Sequence, residues 1–229
     1  NEASQYFNRA IEARSEAFAA TDAAYGLALI ELDHKRFQEA REALRKIIKE
    51  APDFRRRAEV HLALGQANEW LWRTTSWKND KEKAESELLQ RAFDHYQQAL
   101  ERKTEHQDFA NFALGKLLYE SKHQEEAISY LQRVCTSMML DHSEVCEANI
   151  LLGNYFWTEK QDAAKAREYL ESVVKKSLGQ EIMAAVQRQL GHIARSQNDD
   201  DLATQRYEQA LAAYKDAQTE DVLEVLVNL

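Results

Sequence analysis

Apolar and small residues recur along the chain in one motif. An alanine is followed four residues later by a large side chain, and three residues after that by a small or apolar one. The trios are Ala3/Phe7/Ala10, Ala40/Leu44/Ile47, Ala92/Tyr96/Ala99, Ala127/Leu131/Val134, Ala166/Leu170/Val173 and Ala203/Tyr207/Ala210. An i, i+4, i+7 spacing puts each trio on one face of an α-helix. A second series precedes the later trios: "AAYGLALIEL", "HLALGQANEW", "NFALGKLLYE", "NILLGNYFWT" and "QRQLGHIARS". Four of these carry Leu-Gly, at Gly65, Gly115, Gly153 and Gly191, and Ala28 takes the glycine's place in the first. The two series alternate, which predicts repeated pairs of a first and a second helix.

The small residue has a physical reason. Two helices can approach closely only where no larger group stands on Cβ, and the alanine of the second helix is expected at the same contact. One such pair cannot bury its apolar face alone, so the pairs must stack on one another. Composition agrees. One proline and six glycines in 229 residues are too few breakers for an all-β or loop-rich chain.

The alanine-to-alanine spacings are 37, 52, 35, 39 and 37. The long one contains "EWLWRTTSWKNDKEKAESELLQRAFDHYQQAL". It predicts an extended first helix from Arg55 to about Thr74, a turn at "SWKND" with Ser76 or Asn79 as cap, and a long second helix from Lys81 to Arg102. Trp70, Trp72 and Trp77 then stand at the end of the first helix and in its loop. They either pack against a neighbouring helix or form an aromatic ligand site.

The expected fold is therefore all-α, a superhelical α-α solenoid of about five to six helix pairs. It is expected as a single array over 1–229. A second-helix remnant lies at 2–15, and repeats run over about 20–52, 55–103 (insertion 73–86), 106–139, 143–177 and 180–216. A terminal helix at 219–229 has Thr219 as its cap. A start without a first helix suggests a fragment of a longer array, or an edge covered by a partner.

The pattern resembles the tetratricopeptide repeat family, whose 34-residue motif has Leu-Gly, a small residue twelve later, then aromatic, alanine and proline. Gly115 to Ala127 and Gly191 to Ala203 are each twelve residues apart, and Pro52 lies twelve after Ala40. The resemblance implies that first helices line a concave groove. Its inner positions, three before and one and four after the glycine, fall on Leu62, Gln66 and Glu69, then Phe112, Lys116 and Tyr119. The later repeats give Ile150, Asn154 and Trp157, then Arg188, His192 and Arg195. With Trp70 from the aromatic stretch, the candidate groove residues are Gln66, Trp70, Phe112, Lys116, Tyr119, Asn154, Trp157, Arg188, His192 and Arg195. Aromatic, amide and basic groups suit a peptide, or a single nucleic-acid strand stacked on aromatics. The clamp with which one subclass holds a C-terminal carboxylate is matched only at Asn154, so that ligand is not expected.

The layout of "KEAPD", "RTTSWKNDKEK", "LLGNYFWTEKQDAAKAREYL" and "YEQAL" is similar to the C-terminal half of the interferon-induced proteins with tetratricopeptide repeats. That resemblance implies a non-enzymatic antiviral protein that binds single-stranded RNA 5′ ends and pairs with relatives. The family's Tyr-x-x-x-Leu pairing motif is matched by Tyr207 and Leu211, and also by Tyr96 and Leu100, because it overlaps the general second-helix pattern.

The formal charge of −9 disfavours nucleic acid and anionic membrane as partners of the whole surface, while leaving room for a local basic groove. No phosphate loop, dinucleotide fingerprint, nucleophile elbow or zinc-finger spacing occurs. His142 and Cys146 share a helical face, but two ligands make a poor metal site. No cofactor, metal or catalytic residue is expected. No apolar run reaches the roughly 18 residues a membrane span needs, and two cysteines read as reduced cytoplasmic thiols. Two functions remain. One is a non-catalytic scaffold holding a peptide or partner protein in the groove, with homo- or hetero-oligomer contacts at Tyr207 and Leu211. The other is an RNA-binding antiviral effector using Lys116, Arg188, His192 and Arg195.

Overall fold

A computed structural model describes residues 17–77, 79, 82, 86–101, 104–176 and 179–214. The expected helices at 2–15 and 219–229 lie outside the described residues, as does part of the 73–86 insertion. The described residues contain ten long helices and no strand. They form two compact units that divide between His123 and Gln124. The first holds α1 (Ala17–Asp33), α2 (Phe37–Glu50), α3 (Arg57–Thr74), α4 (Glu87–Leu100) and α5 (Gln107–Glu120). The second holds α6 (Gln124–Cys135), α7 (His142–Thr158), α8 (Ala163–Val174), α9 (Gln180–Ser196) and α10 (Asp200–Tyr214). Within each unit every helix packs on the next, and in the first unit α1 also touches α3, and α3 touches α5. This is the stacking of an α-solenoid, where neighbours alone complete the core.

All fifteen residues of the five trios inside the described chain are buried. The glycines show why. A Cβ on Gly65 would stand 2.5 Å from the Tyr96 ring, one on Gly153 would stand 2.7 Å from Leu170 Cγ, and one on Gly191 would stand 2.5 Å from the Tyr207 ring. The nearest partner is thus the trio's large middle residue. At Gly153 the Ala166 carbonyl also comes near, at 3.4 Å. Where the small residue is Ala28, the middle residue is Leu44, in the same buried cluster.

Turns after first helices share a device that the sequence does not announce. Lys35, Lys122 and Asn198 have φ of 60°, 69° and 58°. Each is followed by a six-to-one bond: Arg36 N to Glu31 O (2.9 Å), His123 N to Leu118 O (2.8 Å) and Asp199 N to Ala194 O (3.1 Å). These are left-handed helix ends built without glycine. Each left-handed residue stands seven after the small residue of its helix, and Gln161, with φ of 52°, stands eight after Gly153. Seven after Gly65 comes Trp72, which is still helical and buried.

So α3 runs on to Thr74, and side chains close its end. Thr74 Oγ1 donates to Trp70 O (2.8 Å), Thr75 Oγ1 to Leu71 O (2.6 Å) and Trp77 Nε1 to Trp72 O (2.9 Å). Leu71 O also accepts from Thr75 N (3.0 Å), so side chains and backbone together close the last turn. Beyond it, Asn79 Oδ1 accepts from Glu82 N at 2.8 Å. The long second helix starts at Glu87, six residues later than expected from Lys81, because the Ser86 hydroxyl accepts from Leu89 N (3.3 Å) and caps it there.

A partly buried histidine pair joins α3 to α4. His61 Nδ1 lies 3.1 Å from His95 Nδ1. Burial pushes His61 down to about 4, with His95 and then Arg57 adding to the effect. Burial likewise lowers His95, helped by Arg45 and Arg91 against an opposing Asp94. Because the folded value of His61 lies below its ordinary 6.5, the unfolded chain takes up this proton first. The His61 contribution is therefore complete above about pH 6.5 and is lost as pH falls toward 4.

Two outcomes are expected. Gly191→Ala should lower stability in urea unfolding by about 1–3 kcal/mol through overpacking, although alanine is the better helix former by about 1 kcal/mol. In a Tyr207→Ala background the same change should become neutral or favourable, and an equal cost in both backgrounds would contradict the contact. Stability should also fall between pH 6.5 and 4.5, and His61→Gln should make that slope shallower by about 1–2 kcal/mol over the interval.

Candidate functional site

The ten candidate groove residues divide between the units. Gln66 and Trp70 stand on α3, and Phe112, Lys116 and Tyr119 on α5. Asn154 and Trp157 stand on α7, and Arg188, His192 and Arg195 on α9. In the first unit, four of the five line one cleft of about 360 Å³, together with Glu69, Arg73, Tyr96, Phe109, Ala113 and Glu120. Tyr119 is half-buried on the same helix and does not line it.

The cleft has an aromatic side and a charged side. Trp70 is 48% exposed, and its ring lies flat on Phe37, centroids 5.5 Å apart and planes within 4°. Phe112 is nearly buried, with Lys116 Nζ 5.7 Å from the ring centre. On the charged side the fully buried Tyr96 donates its hydroxyl hydrogen bond to Glu69 Oε2 (2.5 Å). Arg73 pairs with Glu69 at 2.8 Å and also with Glu120, so the chain of contacts runs from α4 through α3 to α5. Burial alone would lower the Arg73 guanidinium, but Glu69 and Glu120 outweigh it and hold the group above its ordinary value. Burial and then Glu69 raise the Tyr96 phenol well above its usual range. Both groups keep their protons at neutral pH, so the network has one charge state and a fixed shape.

Sequence spacing found the aromatic and amide positions but not Arg73 or Phe109. Arg73 lay in the insertion, and its one signal is the i, i+4 relation to Glu69. The three tryptophans have separate roles. Trp70 faces the cleft, Trp72 is buried, and Trp77 closes α3.

In the second unit Asn154, Trp157 and Arg188 are half-buried and Arg195 is exposed. His192 Nδ1 lies 3.0 Å from the Tyr207 hydroxyl. Tyr207 is fully buried against Gly191, so its side chain offers no surface to a second chain, while Leu211 is half-buried. Arg206 Nη1 donates to Gln187 Oε1 (3.0 Å) and pairs with Glu171, tying α10 to α9 and α8.

Among the described residues no three His, Cys, Asp or Glu side chains come together as a metal site. Cys146 is buried and Cys135 half-buried, neither in a disulfide. Burial pushes the Cys135 thiol up to about 11, which keeps it a poor nucleophile. No described helix is long and apolar enough to cross a membrane.

No curated protein matches this sequence. The tetratricopeptide repeat model matches residues 22–53, which hold most of α1, all of α2 and Pro52. Among solved structures the chain is similar to YrrB, described as a TPR protein with an unusual peptide-binding site. The TM-score is 0.71 at 15% identity, covering 98% of this chain and 99% of that one. It is similar to MamA, with a TM-score of 0.63 at 17% identity over 82% of this chain and 95% of that one. It is also similar to human IFIT1, solved as a dimer with m7Gppp-AAAA. There the TM-score is 0.59 at 17% identity, and 93% of this chain covers about half, 51%, of IFIT1. Identities this low speak for the fold alone. Residues 22–53 are a tetratricopeptide repeat, and the chain has the all-α solenoid fold of the tetratricopeptide-repeat proteins.

Proposed function

We propose that this protein is a non-catalytic interaction scaffold that holds a peptide segment of a partner protein in the cleft between α3 and α5. The observation that carries the reading is the half-exposed Trp70 beside Phe109 and Phe112, facing a preformed Tyr96–Glu69–Arg73–Glu120 network. Rigid aromatic walls take an apolar side chain at low entropic cost, and Gln66 and Lys116 supply polar contacts for the peptide backbone or an acidic neighbour. The scaffold works in a reducing compartment such as the cytoplasm, where Cys135 and Cys146 stay free thiols.

The RNA reading draws on the likeness to IFIT1 and on Arg188, His192 and Arg195 in the second unit. The cleft itself speaks against a phosphate strand. It carries two carboxylates, Glu69 and Glu120, against two cations, and Arg73 is paired to both carboxylates. A strand bound through phosphates needs net positive charge and loosens steeply with salt.

An immobilised peptide array separates the two. The wild-type protein should retain peptides with an aromatic or aliphatic anchor, nearly independently of salt. Trp70→Ala should weaken the best of them at least about tenfold, the usual cost of losing a central aromatic. Retention of single-stranded RNA alone, lost on raising salt and unaffected by Trp70→Ala, would overturn the scaffold reading.

A further inference from the structure

The first unit has a second cleft, of about 350 Å³, lined by Arg41, Arg45, Ile48 and Lys49 of α2, Leu64 and Asn68 of α3, and Arg91, Asp94, His95 and Gln98 of α4. At 100° per residue, Leu64 and Asn68 point about 170° away from Gln66, Glu69, Trp70 and Arg73, so α3 turns opposite faces to the two clefts. The second cleft lies between second helices, away from the residues assigned above.

Its charge runs against that of the chain. Four permanent cations, Arg41, Arg45, Lys49 and Arg91, face one carboxylate, Asp94, in a protein of net charge −9. Arg91 pairs with Glu87, and Arg41 Nη2 donates to Gln38 Oε1 (2.8 Å). Arg45 and Lys49 have no carboxylate within 4.0 Å among the described residues. Burial, then Arg91 and Arg45, lower Arg41 from its ordinary value, against smaller opposing effects of Glu42 and Glu87. Burial leaves His95 neutral at pH 7, so it adds no charge.

Two buried polar atoms of the cleft wall have no partner: Arg41 Nε, a donor, and Asn68 Oδ1, an acceptor. Asn68 is 1% exposed, and its Nδ2 is already used, donating to Leu64 O at 2.7 Å. A phosphodiester accepts only and would leave Asn68 Oδ1 bare. A peptide unit brings one carbonyl and one N–H, and so answers both atoms. The row Arg41, Arg45, Lys49 repeats every four residues of helix, about 6 Å. Alternate residues of an extended strand repeat every ~6.6 Å and point the same way. The half-buried Ile48 gives an aliphatic surface, and no Phe, Tyr or Trp lines the cleft for a base to stack on.

We propose that the cleft between α2 and α4 binds an extended acidic segment of a partner protein. Carboxylates at alternate positions meet the Arg41–Arg45–Lys49 row, the backbone meets Arg41 Nε and Asn68 Oδ1, and an aliphatic side chain rests on Ile48. The site is separate from the α3–α5 cleft and does not depend on it.

Fluorescence anisotropy on the full chain tests this, with a labelled Glu-Leu-Glu-Leu-Glu probe and its Gln-Leu-Gln-Leu-Gln counterpart. The acidic probe should bind at least tenfold tighter than the neutral one, and weaken as salt rises. Arg45→Glu with Lys49→Glu should lose at least tenfold, with an unchanged helical spectrum, since both side chains are exposed. Trp70→Ala should change nothing, which separates this site from the other cleft. Equal binding of the two probes, or indifference to the double charge reversal, would overturn the proposal. So would displacement of the probe by low-millimolar inorganic phosphate, which marks a simple anion site. Tighter binding of oligouridine through Arg45 and Lys49 would make the cleft a nucleic-acid site and would equally refute it.

Discussion

The structure depends on one close approach. In each repeat a first helix offers a residue with little or no side chain, and the second helix drives a large side chain into that space. Tyr96 on Gly65, Leu170 on Gly153 and Tyr207 on Gly191 are three forms of it. Both rings and Leu170 meet glycine, while at Ala28 the corresponding residue is Leu44. Where the small residue is glycine, a Cβ there would force the middle residue or the helices to shift. The trios exist because a helix held this close by its middle residue must also bury the residues four before and three after it.

Function follows from a departure from that plan. In three first helices a residue with positive φ, seven positions after the small one, turns the chain back. After Gly65 that position is Trp72, the helix continues, and two threonines and Trp77 close it a turn later. The added turn carries Arg73, while Trp70 stands five after Gly65, where the other first helices end. Without it α3 would end before Arg73 could join Glu69 to Glu120, and the α3–α5 cleft would lack its charged wall. A single lengthened helix thus turns a structural repeat into a candidate binding surface. The same helix bears Leu64 and Asn68 on its other face, at the floor of the basic cleft.

Much of this was legible in the sequence. The trios and Leu-Gly positions give the helices, their order and the buried set, because burial at i, i+4 and i+7 leaves a pattern that survives any change of surface residue. The insertion showed as one long spacing, and Gln66, Trp70, Phe112 and Lys116 were placed by their distance from a glycine or from the end of a helix. Other features left weaker marks. Lysine at Lys35 and Lys122 carries no turn signature, since a left-handed residue is recognised from sequence mainly when it is glycine or asparagine. Ser76 and Asn79 were the expected caps, and only the hydrogen bond to Leu89 N singles out Ser86. The Tyr96–Glu69–Arg73–Glu120 chain and the Arg41–Arg45–Lys49 row join residues from different helices or face a neighbour that periodicity does not name. Tyr207 shows the opposite error. A pairing motif fitted it, but the same spacing is what buries a second-helix aromatic.

The most direct measurement of the close approach is a nuclear Overhauser spectrum of the native protein, with Gly65, Gly191, Tyr96 and Tyr207 assigned. Each glycine should show strong cross-peaks from an α-proton to the ring protons of its tyrosine, and that proton should be shifted upfield by the ring above it. Glycine α-protons at ordinary shifts, with no cross-peak to either ring, would contradict the contact on which the stacking of the helices rests.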